Sequence, residues 1–219
     1  MTMAGMQGGQ QKTRFQSARD EYAVAEHYII RDALPQRQLR GKIKQFILVV
    51  SGLDGIIMID EHGYRPNVGI ILCNRFNQVF WARRSAQNGW QFPQGGIRLN
   101  ESVESAMYRE LREEVGLDPS QVGVLGHTRD WLYYDIPEDY RRRNPQTVFR
   151  GQKQIWFLLR LHGRDEDVRL DLSDRPEFDS WRWTEYWSVL EDIIDFKREV
   201  YKLALAELEP LLLTAPAQD

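Results

Sequence analysis

The chain has 219 residues, 42% of them hydrophobic, with seven tryptophans, which is enough to form one domain with a substantial core. Its net charge of −3 argues against a generally basic protein that binds nucleic acid without regard to sequence. No apolar run approaches the ~20 residues of a membrane span, and no early apolar stretch indicates a signal peptide. Cys73 is the only cysteine, so we expect no intramolecular disulfide, a buried inert thiol and a cytoplasmic location.

Residues 1–57 differ in composition from the rest of the chain. They carry eight Lys or Arg against five acidic residues, and the first eleven residues are rich in Gly, Gln and Met. Residues 46–50 are consistent with one short strand. The sequence after Met58 resembles a natural protein start, so we expect 1–57 to be a largely disordered or weakly structured extension from an over-long gene assignment, with Met58 as the initiator. The alternative is a genuine accessory arm, basic enough to contact RNA.

From residue 58 onward the pattern is rich in strands. It predicts a hairpin at 68–74 and 78–83, a short strand at 90–92 and further strands at 122–131, 152–161 and around 181–183. A helix is predicted from an N-cap at Asn100 to Gly116, and two more are predicted at 186–194 and 196–208. These elements alone indicate an α+β domain at 58–209, followed by a tail at 210–219.

Three carboxylates within residues 95–117 suggest a site for chemistry. Glu110, Glu113 and Glu114 stand at i, i+3 and i+4, which places them within about a 100° arc of a helix. Like charges this close repel, by about 0.2–0.5 kcal/mol for each exposed pair. The grouping therefore favours a shared use, and the simplest one is binding divalent cations.

The residues around these carboxylates follow the pattern of the Nudix box, which is a glycine, five residues, a glutamate, seven residues, then Arg-Glu-apolar-any-Glu-Glu-any-Gly-apolar. Its fixed positions are filled by Gly95, Glu101, Arg109, Glu110, Leu111, Glu113, Glu114, Gly116 and Leu117. Chance would produce such a match in fewer than ~1 in 10⁶ chains. The chain thus resembles the Nudix hydrolases, which split nucleoside diphosphates linked to another group. The alternative is a solvated acidic helix face with Arg109 and Arg112 as local partners.

The resemblance implies the Nudix α/β/α sandwich, an α/β fold with a mixed sheet and a loop–helix–loop box. It implies Mg²⁺, with Mn²⁺ or another divalent metal as a substitute, and oxygen ligands suit Mg²⁺ and Mn²⁺. The implied metal ligands are Glu110, Glu113, Glu114 and Glu177. The implied catalytic residues are Glu110, Glu114, Glu177 and Arg109, and the structural residues of the box are Gly95, Gly96, Glu101 and Gly116.

Two of these assignments have simpler alternatives. Glu177 is selected only because residues 176–179, Pro-Glu-Phe-Asp, match bacterial RNA pyrophosphohydrolases, and it could instead be a surface residue after a proline turn. Arg109 either orients a glutamate or is an ordinary i,i+4 partner of Glu113. Which glutamate activates water is left open.

The similarity to bacterial RNA 5′ pyrophosphohydrolases covers about residues 58–203. It is carried by blocks at 63–69, 81–84, 90–97, 151–154, 176–183 and 196–201. It implies removal of pyrophosphate, or of phosphate from diphosphorylated ends, from the 5′ end of transcripts, which leaves a 5′-monophosphate and triggers mRNA decay. The implied partner is 5′-phosphorylated RNA, and no DNA or membrane partner is expected. The protein is expected to be a monomer, and an activating protein partner is left open.

The substrate candidates follow from the same blocks. Guanidinium and ammonium groups suit a 5′-triphosphate, and aromatic and arginine planes suit a terminal base. The implied substrate-binding residues are Arg65, Arg84, Gln152, Lys153, Gln154, Phe196 and Lys197, with Arg65 and Phe196 flanking the base. Phe196 could instead be core, and the run 141–143, Arg-Arg-Arg, is most simply a solvated loop. Asn88-Gly89 departs from the His-Ser of some relatives, so base preference does not carry over.

Two other functions remain open at this point. A diadenosine polyphosphate hydrolase would share the Pro-Gln-Gly-Gly turn at 93–96, but the block 196–198, Phe-Lys-Arg, favours RNA. A non-catalytic Nudix domain that binds nucleotides as a regulator is disfavoured because all the box glutamates are present.

Overall fold

The computed structural model describes residues 27–30, 46–51, 55–85, 89–143 and 149–214. Its first sheet is antiparallel and contains β1 (His27–Ile30), β2 (Phe46–Ser51) and β3 (Gly55–Asp60), in that order. The short strand expected at 46–50 is therefore present as β2. Strand β3 crosses the boundary between residues 57 and 58, where we placed the start of the domain.

The main sheet has eight strands. They are β4 (Tyr64–Cys73), β5 (Val79–Arg84), β6 (Trp90–Gln91), β7 (Gln94–Gly96), β8 (Val122–His127), β9 (Leu132–Asp135), β10 (Gly151–Leu161) and β11 (Phe178–Thr184). The order is β11-β5-β4-β10-β8, with β6 beside β5, β7 beside β4 and β9 beside β10. Strands β4 and β10 are parallel and the other pairs are antiparallel, so the sheet is mixed.

Helices cover both faces of this sheet. They are α1 (Val103–Val115), α2 (Glu138–Arg143), α3 (Val189–Asp192) and α4 (Asp195–Thr214). Because side chains alternate along a strand, Val68 and Ile70 of β4 pack in the core under α1, while Ile71 and Cys73 pack in the core under α4. The predicted α/β/α sandwich with a mixed sheet is confirmed. None of the helices in the described ranges combines the length and apolarity needed to cross a bilayer.

The N-cap of helix α1 lies two residues after the predicted one. Ser102 is the cap, because its hydroxyl accepts the backbone N–H of Ser105 at 3.0 Å. Asn100 instead adopts a left-handed conformation, with φ of 63°, in the turn before it. The predicted end is correct: Gly116 has φ of 80°, and its N–H donates to the carbonyl of Arg112.

Three other predicted boundaries differ from the structure. The strand expected at 122–131 ends at His127, and the chain then enters the separate strand β9. The helix expected at 186–194 shortens to Val189–Asp192. Helix α4 continues through Pro210 to Thr214, beyond the expected end of the domain at 209. The thiol of Cys73 is buried, as predicted from the sequence, and burial raises its pKa to about 11.

Candidate active site

Two glycines let the box approach the sheet. Strand β7 pairs with β4, with Gly95 opposite Val68, and α1 lies directly behind this pair. A Cβ atom on Gly95 would overlap the carboxyl group of Glu110, and one on Gly96 would overlap the guanidinium of Arg65. Only glycine permits both approaches. The turn therefore brings a carboxylate of α1 and an arginine of β4 to the same place.

Arg109 joins the loop to the helix. Its guanidinium donates to both carboxylate oxygens of Glu101 at 2.7 and 2.9 Å, and to the carbonyl of Gly96 at 2.9 Å. It also donates to Glu110 at 2.5 Å and to Glu113 at 3.1 Å. Arg109 thus makes both contacts considered from the sequence, one to a buried glutamate and one to its i,i+4 neighbour.

Arg109 and the carboxylates around it stabilise each other's charged forms. Burial alone would lower the pKa of Arg109, but Glu101 and Glu110 hold it above its usual value. Burial would likewise raise the pKa of Glu101, but the hydrogen bond from Arg109 and the backbone N–H of Arg98 hold it below its usual value. The loop glutamate therefore serves as the anchor for Arg109.

Glu110, Glu114 and Glu177 form an acidic cluster. Burial raises the pKa of Glu114 well above its usual value, and the charges of Glu110 and Glu177 raise it further. The N–H of Gln94 donates to Glu114 at 3.0 Å. Burial also raises the pKa of Glu110, although Arg109 opposes this shift. Carboxylates from α1 and from the segment before β11 thus interact electrostatically, and the exposed fraction of the side chain is 10% for Glu110 and 37% for Glu177.

Glu113 stands apart from this cluster. Its exposed carboxylate pairs with Arg98 at 3.0 Å and with Arg109 at 3.1 Å, on the outer side of α1. The structure therefore places Glu114 where the charges of Glu110 and of Glu177, which is distant in sequence, both act on it, and turns Glu113 toward arginines.

Two cationic side chains border the acidic cluster. Arg84 at the end of β5 pairs with Glu177 at 2.8 Å. Lys197 on α4 is 8% exposed, and its ammonium donates to the side-chain oxygen of Gln91 at 3.2 Å. Burial lowers the pKa of Lys197 to about 7, and the charge of Arg84 adds to this shift, while Glu177 and Glu114 oppose it. Basic and acidic groups from β5, α1 and α4 therefore share one site.

Strand β10 sends alternate residues to opposite faces of the sheet. Gln152 accepts from the hydroxyl of Tyr134 at 2.8 Å, and Gln154 donates to Asn67 at 2.8 Å and, more weakly, to Gln94 at 3.4 Å. Both glutamines lie on the α4 side of the sheet, as does Trp156 in the same alternation. The structure therefore brings them beside the box turn.

Lys153 points to the other face of β10. Its ammonium lies 2.7 Å from the carboxylate of Asp60 and 5.2 Å from the ring centre of Trp131. Burial would raise the pKa of Asp60, but hydrogen bonds from Lys153 and from the backbone of Tyr64 and His62 hold it below its usual value. The structure does not bring Lys153 to the acidic cluster, because strand alternation directs it away from its neighbours Gln152 and Gln154.

Aromatic rings form a wall beside the two glutamines. Phe196 is half-buried, with its ring centre 5.9 Å from that of Tyr134 and 5.2 Å from that of Tyr140. The guanidinium of Arg65 lies 5.7 Å from the ring centre of Phe149. Sequence reasoning missed both tyrosines and Phe149, because none of them lies in a recognisable motif. Gln91 was missed although its neighbours Trp90 and Phe92 flank the box turn.

Two predicted features near this wall are only partly described. Residues 141–143 end helix α2 rather than forming a loop, and only the side chain of Arg141 among them is described. Asn88 lies outside the described residues, so its departure from the His-Ser of relatives has no structural test here.

The acidic cluster fits a divalent cation in chemistry but is not arranged around one. Among the described residues, no group of three or more His, Cys, Asp or Glu side chains stands close enough together to hold a metal ion. Arg84 and Arg109 engage Glu177 and Glu110 instead. The oxygen donors are nevertheless those that Mg²⁺ prefers, and a cation would relieve the repulsion that raises the pKa of Glu114.

A family model for the NUDIX domain matches residues 63–204. The chain belongs to the NUDIX family. This Nudix hydrolase has the fold of several solved structures. One is a binary complex of a C. elegans Ap4A hydrolase, 17% identical, covering 69% of this chain and 99% of that one with a TM-score of 0.52.

Two further solved structures share the Nudix fold. The dihydroneopterin triphosphate pyrophosphohydrolase of E. coli is 17% identical, covers 65% of this chain and 97% of that one, and has a TM-score of 0.52. A putative NUDIX hydrolase of Listeria monocytogenes is 22% identical, covers 67% of this chain and 93% of that one, and has a TM-score of 0.50. At these identities the likeness establishes the common fold and leaves the substrate to be argued from the site.

Proposed function

We propose that this Nudix hydrolase removes pyrophosphate from the 5′ end of RNA, or phosphate from diphosphorylated ends, and leaves a 5′-monophosphate that triggers mRNA decay. One observation carries the proposal: the acidic cluster of Glu110, Glu114 and Glu177 shares its site with Arg84 and Lys197. Anionic phosphates need such cations, and their hydrolysis at neutral pH needs a way to offset concentrated negative charge. The resemblance of several sequence blocks to those of RNA 5′ pyrophosphohydrolases supports RNA as the proposed substrate.

In this proposal the acidic cluster holds a divalent cation, Mg²⁺ or a substitute such as Mn²⁺. Nudix enzymes generally use divalent metals. When bound, such a cation neutralises phosphate charge and lowers the pKa of a coordinated water. Arg109 keeps Glu110 in place through its 2.5 Å contact, and the absence of a Cβ on Gly95 leaves room for that carboxylate.

Arg84 and Lys197 orient the phosphate chain. Burial lowers the pKa of Lys197 to about 7, so its charge depends on what lies near the ammonium. An arriving phosphate anion favours the charged ammonium, because an opposite charge nearby raises a lysine pKa. Arg84, which pairs with Glu177 in the structure, would contact the phosphate in the complex, and Glu177 would then be one of the residues that hold the cation.

The aromatic wall holds the nucleoside that carries the phosphates. Arg65 and Phe196 provide planar groups on which a terminal base can stack. Gln152 and Gln154 supply amide groups between the wall and the box turn. Stacking tolerates any base, so this arrangement suits transcripts with different first nucleotides.

A diadenosine polyphosphate hydrolase is the second candidate. The same wall would accept an adenine and the same cations a polyphosphate, and the Ap4A hydrolase of C. elegans has this fold. The block at 196–198, where the Phe and Lys side chains reach the wall and the cluster respectively, favours an RNA end.

The proposal is tested by incubating the full chain with Mg²⁺ and 5′-triphosphorylated RNA and identifying the products. We expect RNA with a 5′-monophosphate, released pyrophosphate or phosphate, and no reaction in excess EDTA. Triphosphorylated RNA recovered intact after prolonged incubation with excess enzyme and Mg²⁺ would overturn the proposal.

A further inference from the structure

Tyr140 is an aromatic residue in the site that no sequence motif contains. It lies on the short helix α2, where the N–H groups of Tyr140 and Arg141 both donate to the carbonyl of Pro137 at 3.0 Å. This turn fixes the direction in which Tyr140 leaves the backbone. Its ring meets Phe196 with 5.2 Å between centres and an interplanar angle of 61°, which is an edge-to-face contact.

Phe196 is held from two directions. Tyr134 of β9 lies at 5.9 Å with its ring inclined by only 32°, and Tyr140 approaches edge-on from α2. Phe196 itself is the second residue of α4, directly before Lys197, whose ammonium faces the acidic cluster. The position of the Phe196 ring therefore relates any base stacked on it to the phosphates held near Lys197.

We propose that Tyr140 is a positioning residue, which fixes the Phe196 ring as the stacking face for the base at the phosphorylated end. This inference rests on the proposed function for the identity of the substrate. An aromatic ring already packed in its bound orientation loses less side-chain freedom when a ligand arrives. Because the base is remote from the reacting phosphorus, losing that support weakens binding and leaves the chemical step unchanged.

The test compares Tyr140→Ala and Tyr140→Phe with Tyr133→Ala in the full chain. Tyr133 is a matched control, because it is half exposed and packs edge-on against Tyr64 at 5.1 Å, on the α1 side of β9. Each variant is assayed on 5′-triphosphorylated RNA and on the same RNA with abasic sites at its first two positions. Thermal unfolding is recorded for every variant.

On RNA with bases, we expect Tyr140→Ala to raise KM about threefold to tenfold with kcat within about twofold. Tyr140→Phe retains the ring and should restore KM, and Tyr133→Ala should match the wild type. On abasic RNA all four proteins should have the same KM. An unchanged KM for Tyr140→Ala, or an equal rise on both substrates, would overturn the inference.

A double variant tests whether Tyr140 acts through Phe196. In a Phe196→Ala background, adding Tyr140→Ala should raise KM no further, because two residues that act as a unit are not additive. A second full rise in KM would contradict the inference. If Tyr140→Ala lowers the unfolding temperature so far that it cannot be assayed, Tyr140→Leu, which keeps apolar bulk without a ring, takes its place with the same expected result.

A failure of the proposed function can be distinguished from a failure of the Tyr140 inference. If the wild type leaves RNA intact but cleaves diadenosine tetraphosphate, the proposed function is wrong. The same variants are then compared on that dinucleotide and on a tetraphosphate monoester without a base. The expected and contradicting results for Tyr140 are unchanged.

Discussion

Glu110 meets two opposing demands within one residue. Glu110 is buried between α1 and the box turn, with 7% of the residue exposed, and its charge acts on the neighbouring carboxylate of Glu114. Burial and the charge of Glu113 favour the neutral acid and raise the pKa of Glu110, while Arg109, and to a smaller extent Arg65, oppose that shift. Such a residue costs stability, so its presence is best explained by chemistry that needs a charged oxygen at that point.

Replacing Glu110 with Gln exchanges one carboxylate oxygen for an amide nitrogen, and so tests whether the site needs a charged oxygen there. Glutamine keeps the shape and can still accept from Arg109, so we expect nearly unchanged thermal stability. Turnover should fall by at least ~10²-fold, because the variant loses a proposed ligand of the divalent cation. The measurement is initial rate together with the unfolding temperature.

Glu104→Gln is the matched control for Glu110→Gln. Glu104 is an exposed acid in the first turn of the same helix, so its neutralisation should leave turnover within about twofold and cost at most about 1 kcal/mol. Near-normal turnover in Glu110→Gln, or an equal loss in the control, would remove Glu110 from the proposed catalytic group.

At the residue scale, the spacing of the box predicted that three glutamates would share a helix face. Spacing could not separate Glu113, which turns toward Arg98, from Glu110 and Glu114, because that depends on the packing of the loop. Nor could spacing predict which face of β10 carries the Lys153 side chain. Lys153 was expected in the substrate site together with Gln152 and Gln154, but its ammonium contacts Asp60 instead. A block in a strand necessarily divides between two faces.

Helix α1 is the element on which the site depends, and its ends determine where the carboxylates lie. It ends at Gly116, whose left-handed conformation, φ of 80°, is costly for any residue with a Cβ. A Cβ there would also lie 2.6 Å from the carbonyl oxygen and the Cβ of Arg169. Backbone strain and a backbone clash therefore coincide at this position.

We predict that Gly116→Ala destabilises the fold by more than about 1 kcal/mol, measured as the free energy of unfolding in urea. Gly163→Ala is the comparison, because a Cβ there would first meet the flexible carboxylate of Asp167 at 2.9 Å. Equal losses in the two variants would show that the end of α1 is less constrained than its geometry indicates.

Local sequence signals predicted the elements better than their pairing. The hydroxyl of Ser102 and the left-handed Asn100 stand two residues apart, and either residue type is a common N-cap, so only geometry separates them. The parallel pairing of β4 with β10 joins residues more than 80 positions apart, such as Val68 and Ile155. No turn signal encodes such a contact, and the family resemblance supplied the sandwich instead.

At the scale of the whole molecule, the role of residues 1–57 stays a prediction. Strand β3 crosses the proposed start, and Ile57 is 4% exposed in the core under α4. We predict that deleting 1–57 leaves activity within about threefold, since the site lies entirely beyond residue 64 and terminal segments are commonly dispensable. The assay is turnover of 5′-triphosphorylated RNA at equal concentrations of folded protein.

Deleting 1–54 is the control, because it keeps β3 whole. If both deletions remain active, the segment is an appendage. A collapse in activity or solubility in both would show that the first sheet belongs to the fold, and a collapse in the longer deletion alone would assign that role to the start of β3.

The central claim is that this Nudix hydrolase acts on the phosphorylated 5′ end of RNA. The most direct measurement is a competition in one reaction, with Mg²⁺ and equal concentrations of 5′-triphosphorylated RNA and diadenosine tetraphosphate, in which the ratio of kcat/KM is read from the two products. We predict that 5′-monophosphorylated RNA forms much faster than mononucleotides, because in our proposal the aromatic wall and Lys197 bind an RNA end. Rapid cleavage of the dinucleotide beside intact RNA would contradict the account.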